Sequence, residues 1–155
     1  MKLEEIKEKY KALQDKYGLA GFEELDKEFE INDITNGNII LREIRDRIIE
    51  KFDEYVKILE GIVQPDTNLV HMYEAKVFND DEKNDIFNLY KRFLYLERFS
   101  IETQIIDGEE KMSEWINLAF KEWMELKPKI LDIIIRLKES WTHDDDIADT
   151  ASYCG

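Results

Sequence analysis

The amino-acid sequence predicts an all-α protein, built as an antiparallel bundle of four to six helices. The chain has 155 residues but only 6 Gly and 2 Pro, too few turn residues for a fold of many strands. Charged residues make up 37% of the chain, and most of them are Glu and Lys, which favour helices. The apolar residues, 43% of the chain, recur mainly at spacings of three and four, as they do on one face of a helix.

The first two predicted helices are short and have clear ends. Residues 2–17 place their apolar side chains at helical spacing, and Gly18 provides the stop. A second helix is expected from Phe22 to Glu30, with acidic residues in its first turn. The segment 31–38 is rich in Asn, Asp and Gly, which predicts a loop.

A long helix is expected over Ile39–Glu60, and a shorter one over 66–77. Polar side chains before each apolar run can accept hydrogen bonds from free backbone N–H groups, and glycine favours the end of a helix. The expected caps and stops are Asn38 and Gly61 with Pro65 for the long helix, Asp66 for the shorter one, and Asp80 or Asp81 for the helix that follows.

The stretch 86–106 is the least amphipathic part of the chain. A helix that is apolar most of the way round is typical of a central, buried position or of a contact with a second subunit. The apolar residues that crowd its faces are Ile86, Phe87, Leu89, Tyr90, Phe93, Leu94, Tyr95, Leu96, Phe99 and Ile101.

The last predicted helix spans residues 109–141 and contains Pro128. Its apolar stripe keeps the same phase on both sides of Pro128, which favours a continuous helix with a kink, although a break before the proline is the alternative. We interpret residues 1–141 as one helical-bundle domain. Residues 142–155 contain four Asp and no periodic pattern, so we expect an acidic, mobile tail.

The charge of the chain excludes several classes of partner. Asp and Glu total 36 against 22 Lys and Arg, a net charge of −14. Such a surface repels nucleic-acid phosphates and anionic membranes, whereas it suits a basic partner. We expect no secretory signal and no transmembrane helix, because no long apolar run is present. The single cysteine, Cys154, forms no internal disulfide, and together these features predict a cytoplasmic protein.

Three strings in the sequence carry a resemblance to a known group: YGLAGFEELDKEFEI, LREIRDRIIEKFDEY and GIVQP. With the ending Tyr153-Cys154-Gly155, the chain resembles a group of short, acidic, all-helical proteins predicted from archaeal genomes and described as hypothetical. The resemblance covers most of the chain. It implies an archaeal-type cytoplasmic helical protein, and it implies no activity and no site residue.

The sharpest carboxylate pattern that could hold a metal ion lies in the long helix; His143-Asp144-Asp145-Asp146 is a weaker one, typical also of a disordered acidic tail. Spacings of three, four and three place four carboxylates on one helix face, as in Mg²⁺-dependent all-α nucleotide pyrophosphohydrolases. These residues are Glu43, Asp46, Glu50 and Asp53. The nearest partner pair, Glu122 and Glu125, flanks the proline, and Arg and Lys residues intersperse the row. Such mixed charge is typical of a solvated, ion-paired surface.

Other common chemistries lack their residues. The two histidines, His71 and His143, do not follow a Glu three positions earlier, so the usual di-iron pattern is missing. Cys154 is next to last in the chain and lies in the expected tail, a poor place for a preorganised nucleophile. No phosphate-binding loop, nucleophile elbow or dinucleotide motif is present. We therefore predict no cofactor and favour a protein without enzymatic activity.

We thus expect a helical interaction or structural module that binds a protein partner or itself. The apolar excess of residues 86–106 favours a homodimer over a monomer, with an interface formed by Tyr90, Tyr95 and Trp123. Two alternatives stay open. One is the Mg²⁺-dependent pyrophosphohydrolase-like enzyme, and the other is a bundle that binds an apolar small ligand between its aromatic-rich helices.

Overall fold

The computed structural model describes residues 1–142, so the predicted tail lies outside the described residues apart from Thr142. Within residues 1–142 the chain forms six α-helices and no strand, which confirms the predicted all-α fold. The helices are α1 (Leu3–Tyr17), α2 (Phe22–Phe29), α3 (Ile40–Val63), α4 (Leu69–Ala75), α5 (Asp80–Ile105) and α6 (Glu109–Ser140). None of these helices combines the length and the apolar composition needed to cross a bilayer.

The chain divides into two compact units. Unit 1 contains residues 1–53 and 95–123, and unit 2 contains residues 54–94 and the chain from 124 onward. The three long helices α3, α5 and α6 each contribute one part to each unit. That residues 1–141 form one domain stays a prediction.

Unit 1 is an antiparallel helical packing around aliphatic and aromatic side chains. Arg45 and Arg42 of α3 pair with Thr103 and Asp107 respectively, so α3 and the end of α5 run in opposite directions. The indole N–H of Trp115 on α6 donates to the carbonyl of Leu96 on α5 at 2.8 Å. Fully buried side chains in this unit include Ile6, Tyr10, Leu25, Ile31, Ile34, Ile40, Ile44, Ile48, Trp115 and Ile116.

Unit 2 packs the second half of α3, α4, the first half of α5 and the second half of α6. Its α5 and α6 segments are antiparallel, because Glu82 pairs with Arg136 while Arg92, ten residues later, pairs with Glu125. The core side chains of this unit are apolar throughout. They include Leu59, Ile62, Tyr73, Phe78, Ile86, Leu89, Phe93, Leu126, Ile130, Ile133 and Leu137.

The ends of α1 and α2 agree closely with the ends predicted from the sequence, whereas both ends of α3 differ from the prediction. Gly18 is left-handed, with φ of 65°, and caps α1 as predicted. The first helical hydrogen bond of α3 runs from Glu43 N–H to the carbonyl of Ile39, so Ile39 rather than Asn38 precedes the helix. Gly61 does not end α3, which continues to Val63. A Cβ atom on Gly61 would approach the His71 ring to 2.8 Å, so this glycine serves close packing.

Asparagine, and not aspartate, caps the next two helices. The Asn68 side chain accepts from the N–H of Val70 at 2.8 Å and caps α4, while Asp66 accepts from Asn68 N–H. Asn79 and Glu82 form a reciprocal capping box at the start of α5, with bonds of 2.9 and 3.0 Å. The predicted caps Asp66, Asp80 and Asp81 were therefore wrong by one to two residues. Asn68 and Asn79 stand directly before the first helical residue, so their side-chain oxygens reach the free N–H groups.

The α6 helix runs without interruption from Glu109 to Ser140, with Pro128 inside it. The continuous helix that we predicted from the phase of its apolar stripe is therefore confirmed, and the alternative of a break before the proline was wrong. A kink at Pro128 stays a prediction. Pro128 has no N–H, so the carbonyl of Met124, four residues earlier, receives no helical hydrogen bond from it.

The central burial predicted for residues 86–106 was wrong, whereas the alternative of a contact with a second subunit stays a prediction. Helix α5 has a single buried stripe, and its members are Ile86, Leu89, Phe93, Leu96, Ser100 and Thr103. Phe87, Tyr95 and Ile101 are exposed. Aromatic side chains cover part of one another outside the core, since Phe87 stacks on Tyr90 with 6.1 Å between ring centroids. Helix α5 is therefore an ordinary amphipathic helix, and its exposed aromatic residues made it resemble a helix that is apolar on all sides.

Candidate functional site

The predicted carboxylate row lies on α3 and is part of an ion-paired surface. Arg45 contacts Asp46 at 3.2 Å, and Arg47 pairs with Asp33 of the preceding loop. That hydrogen bond lowers the pKa of the Asp33 carboxyl. Among residues 1–142, no three His, Cys, Asp or Glu side chains come together in a group that could hold a metal ion. The row made by Glu43, Asp46, Glu50 and Asp53 is therefore no such group.

The predicted interface does not form a surface patch. Tyr95 is 64% exposed, Tyr90 is half-buried, and Trp123 is only 3% exposed. Tyr90 and Tyr95 are five residues apart on α5, which separates them by about 140° around the helix. Trp123 cannot contribute to a surface contact because its side chain is enclosed within unit 1. Trp123 is therefore a core residue and not a surface one, whereas an interface that involves Tyr90 and Tyr95 stays a prediction.

Trp123 belongs instead to a buried polar cluster that the sequence analysis missed. Its indole N–H donates to Oε2 of Glu28 at 2.9 Å, and Glu28 is itself buried. The ammonium of Lys51 donates to the backbone carbonyl of Glu28. It also lies 5.6 Å from the ring centre of Phe29 and 5.2 Å from that of Trp123. The Glu28–Lys51–Trp123 cluster thus joins α2, α3 and α6 in unit 1.

The donors and acceptors of this cluster bind one another, which is the pattern of a structural network. Glu28 follows Leu25 by three residues, so it falls on the apolar face of α2. That position was a signal in the sequence that Glu28 would be buried. Its partner Trp123 is 95 residues away, and no local pattern identifies it.

A second buried charge in unit 1 is the guanidinium of Arg45. It donates from one nitrogen to Thr103 Oγ1 at 3.2 Å and contacts Asp46 with another at 3.2 Å. The Thr103 hydroxyl in turn donates to the carbonyl of Ser100 at 2.6 Å. The buried stripe of α5 ends in two polar residues, Ser100 and Thr103, and these lie where the buried Arg45 of α3 needs a hydrogen-bond acceptor.

Unit 2 has a different kind of polar feature, an open cleft between α5 and α6. Its volume is about 530 Å³, and apolar side chains form its floor. Arg136 pairs with Glu82 at one end and stacks on Phe78, with 4.4 Å from the guanidinium carbon to the ring centre. The hydrogen bond from Arg136, together with the Asn79 N–H, lowers the pKa of Glu82. The lining residues are Phe78, Glu82, Asp85, Ile86, Asn88, Leu89, Arg92, Lys129, Asp132, Ile133 and Arg136.

Beside this cleft, the outer face of α6 carries an exposed apolar stripe, which we define as Met124, Pro128, Leu131 and Ile135. Met124 is 48% exposed, Leu131 57% and Ile135 41%. Their spacings of four, three and four place the members within about 60° of one another on the helix. The sequence signal was present, but we assigned the apolar residues of α6 to a single core stripe.

An acidic edge, which we define as Glu125, Asp132 and Glu139, runs along one side of the apolar stripe. These carboxylates repeat every seven residues, and all three are exposed. Glu125 contacts Arg92 across the cleft, whereas Asp132 has no ion pair within residues 1–142. Asp132 also lines the cleft, so the acidic edge separates the cleft from the apolar stripe. The arrangement offers an apolar seam with one acidic border.

Comparison with known proteins supplies no relative from which a role could be transferred. Neither a family model, nor a curated protein, nor a solved structure matches this chain. The geometry of the described residues is therefore the ground for a functional proposal.

Proposed function

We propose that this protein is a non-enzymatic helical interaction module that binds a protein partner or a second copy of itself. The observation that carries the proposal is the exposed apolar stripe on the outer face of α6. Its members line up along one helix face, as in helices that pack against another helix. We further propose that the module acts in the cytoplasm, an expectation that rests on its single cysteine.

The distribution of exposed apolar residues supports α6 over other surfaces. In unit 1 the exposed apolar side chains of α5 include Tyr95, Ile101 and Ile105; the two isoleucines share a direction, and Tyr95 points about 120° away from Ile101. In unit 2 the exposed apolar side chains of α6, which are Met124, Leu131 and Ile135, lie along one direction over about three turns. Aligned apolar side chains can be covered together by one partner helix, whereas scattered ones are common on any protein surface.

A photo-crosslinking amino acid at position 131 tests this proposal, with the same amino acid at position 95 as the matched control. Both positions are exposed and helical, but only Leu131 lies in the apolar stripe. We expect a discrete adduct from position 131 in extract of the native cells and none from position 95. An adduct of twice the 18.6 kDa chain mass identifies self-association. Equal labelling from both positions, or none from either, would overturn the proposal.

A further inference from the structure

The outer face of α6 has the layout of one strand of a coiled coil. With Met124 and Leu131 at the d positions of a heptad, Pro128 and Ile135 fall at the a positions. The next d position is Lys138, which ends the apolar seam and contacts Glu139 at 3.8 Å. The e positions are then the acidic edge, Glu125, Asp132 and Glu139. The g positions carry one charged residue, Lys127, followed by Ile134 and Trp141. The seam thus has one fully acidic border and one border that is mainly uncharged.

A second copy of the chain fits this seam poorly. In an antiparallel pair the e positions of the two helices face each other, so the two acidic edges would repel. In a parallel pair each e position faces a g position of the other copy, which sets Asp132 opposite Lys127. The remaining carboxylates, Glu125 and Glu139, would face uncharged residues, and two chains of charge −14 would be brought together.

The chain's own C-terminal segment fits no better. Residues 143–155 carry four Asp and no Lys or Arg. A segment of that composition would place like charge along the acidic edge, which is unfavourable. The charge pattern therefore selects an occupant that is apolar on one side and basic along one border.

We propose that the outer face of α6 binds a basic amphipathic helix of another protein. The partner lays its apolar face on the apolar stripe and places lysine or arginine along the acidic edge. Asp132 lies on the border between the acidic edge and the open cleft. The long basic side chains of the partner can therefore extend past Asp132 into the cleft. This inference rests on the proposed function and names the chemistry of its partner.

The test uses the full chain and a synthetic helical peptide of about five turns, with leucine at its a and d positions and lysine at e and g. A second peptide carries the same leucines with glutamate in place of lysine. We expect the basic peptide to bind, to bind more weakly as NaCl is raised, and to bind far more tightly than the acidic peptide. The measurement is fluorescence anisotropy of labelled peptide.

Two variants of equal net charge locate the site. Asp132→Asn with Glu139→Gln removes two carboxylates of the acidic edge and leaves Glu125, the partner of Arg92. Glu43→Gln with Glu50→Gln removes two carboxylates from the α3 row in unit 1. We expect the first variant to weaken peptide binding about fivefold, the size of effect that two exposed ion pairs produce, and the second to change it less than about 1.5-fold.

Leu131→Lys provides a second measurement that does not depend on the acidic edge. It places a charge in the middle of the apolar stripe, and we expect it to abolish binding while the helical circular dichroism stays unchanged. Equal weakening by the two double variants, or full binding by Leu131→Lys, would overturn the inference. A crosslinked partner from position 131 that contacts the stripe without a basic helix would also overturn it, while the proposed function would stand.

Discussion

The two units treat their charged side chains in opposite ways. Unit 1 buries charge and satisfies it internally, with Trp123 donating to Glu28 and Arg45 donating to Thr103. Unit 2 keeps an entirely apolar core and holds its ion pairs at the surface, on either side of an open cleft. Buried polar networks specify one packing arrangement, since each donor must find its acceptor. Surface pairs contribute little stability but leave a face available for binding.

This difference bears on the surface to which we assign a partner. In unit 1, aromatic side chains such as Trp123 and Phe29 are used for internal packing. In unit 2, the aligned apolar side chains on the outer face of α6 have no such use within the described chain. These apolar side chains are therefore the ones to which our proposed function assigns the partner.

The largest effect should come from the apolar core of unit 2. Phe93→Ala should lower the free energy of unfolding by about 3–5 kcal/mol, because Phe93 is buried and packs beside the ring of Tyr55. The matched control is Phe87→Ala on the same helix, which should cost less than about 1 kcal/mol because Phe87 is exposed. Urea denaturation measures both. A loss below about 1 kcal/mol for Phe93→Ala would contradict the single buried stripe of α5.

A smaller loss is expected from the buried polar cluster of unit 1. Glu28→Leu removes the acceptor of the Trp123 N–H and should cost about 1–3 kcal/mol, because the buried donor loses its partner. Glu28→Gln keeps an oxygen acceptor at the same place and should cost less. Urea denaturation followed by tryptophan fluorescence compares the two variants. If the leucine variant were as stable as the glutamine variant, the cluster would not contribute as we describe.

The sequence predicts a structural feature of this fold well when neighbouring residues in the chain determine that feature, and poorly when residues far away in the chain determine it. Gly18 ends α1 as predicted because its left-handed conformation is set by the helix end itself. Gly61 was misinterpreted, since its role is the close approach of His71 from α4, and no pattern around Gly61 reveals that neighbour. The same holds for the caps of α4 and α5. Several polar residues precede each helix, and the final backbone path decides which of them reaches the free N–H groups.

The candidate site was accessible to sequence analysis in part. The heptad of Glu125, Asp132 and Glu139, with apolar residues between, can be read directly from the chain. The core stripe of α6 was predicted correctly, whereas the second stripe was overlooked because one apolar stripe is the usual pattern of a helix. Burial depends on the helices packed around α6, and that information is tertiary. For the same reason Trp123 was assigned to a surface although its partner, Glu28, lies on α2.

The surface ion pair between Glu82 and Arg136 in unit 2 should make a small contribution to the free energy of unfolding, and this contribution should depend on pH. The pKa of Glu82 is lowered in the folded protein by Arg136, so the folded state binds fewer protons on this group than the unfolded chain. The stabilisation is complete above the ordinary glutamate pKa of about 4.3 and is lost as the pH falls through the lowered pKa.

Glu82→Gln isolates this charge, because glutamine can keep the capping box with Asn79. We expect the variant to melt below the wild type at pH 7, with the gap closing as the pH falls below about 4. Asp33→Asn provides the matched case in unit 1, where Arg47 lowers the pKa of Asp33, and its gap should close in the same way. A gap that stayed constant with pH would show that the charge of Glu82 does not stabilise the fold in this way.

The smallest effect is expected from the carboxylate row on α3. Glu50→Gln with Asp53→Asn leaves Asp46 beside Arg45 and removes two carboxylates that form no ion pair within residues 1–142. The free energy of unfolding should change by less than about 0.5 kcal/mol, the range of ordinary surface substitutions. A metal ion that binds the folded state raises its melting temperature. We expect no Mg²⁺ site in the row, so millimolar Mg²⁺ should leave the melting temperatures of the wild type and the variant unchanged.

If the protein hydrolysed nucleoside triphosphates with Mg²⁺ and this variant abolished the reaction, the row would be a catalytic metal site. The enzyme interpretation would then replace the interaction module.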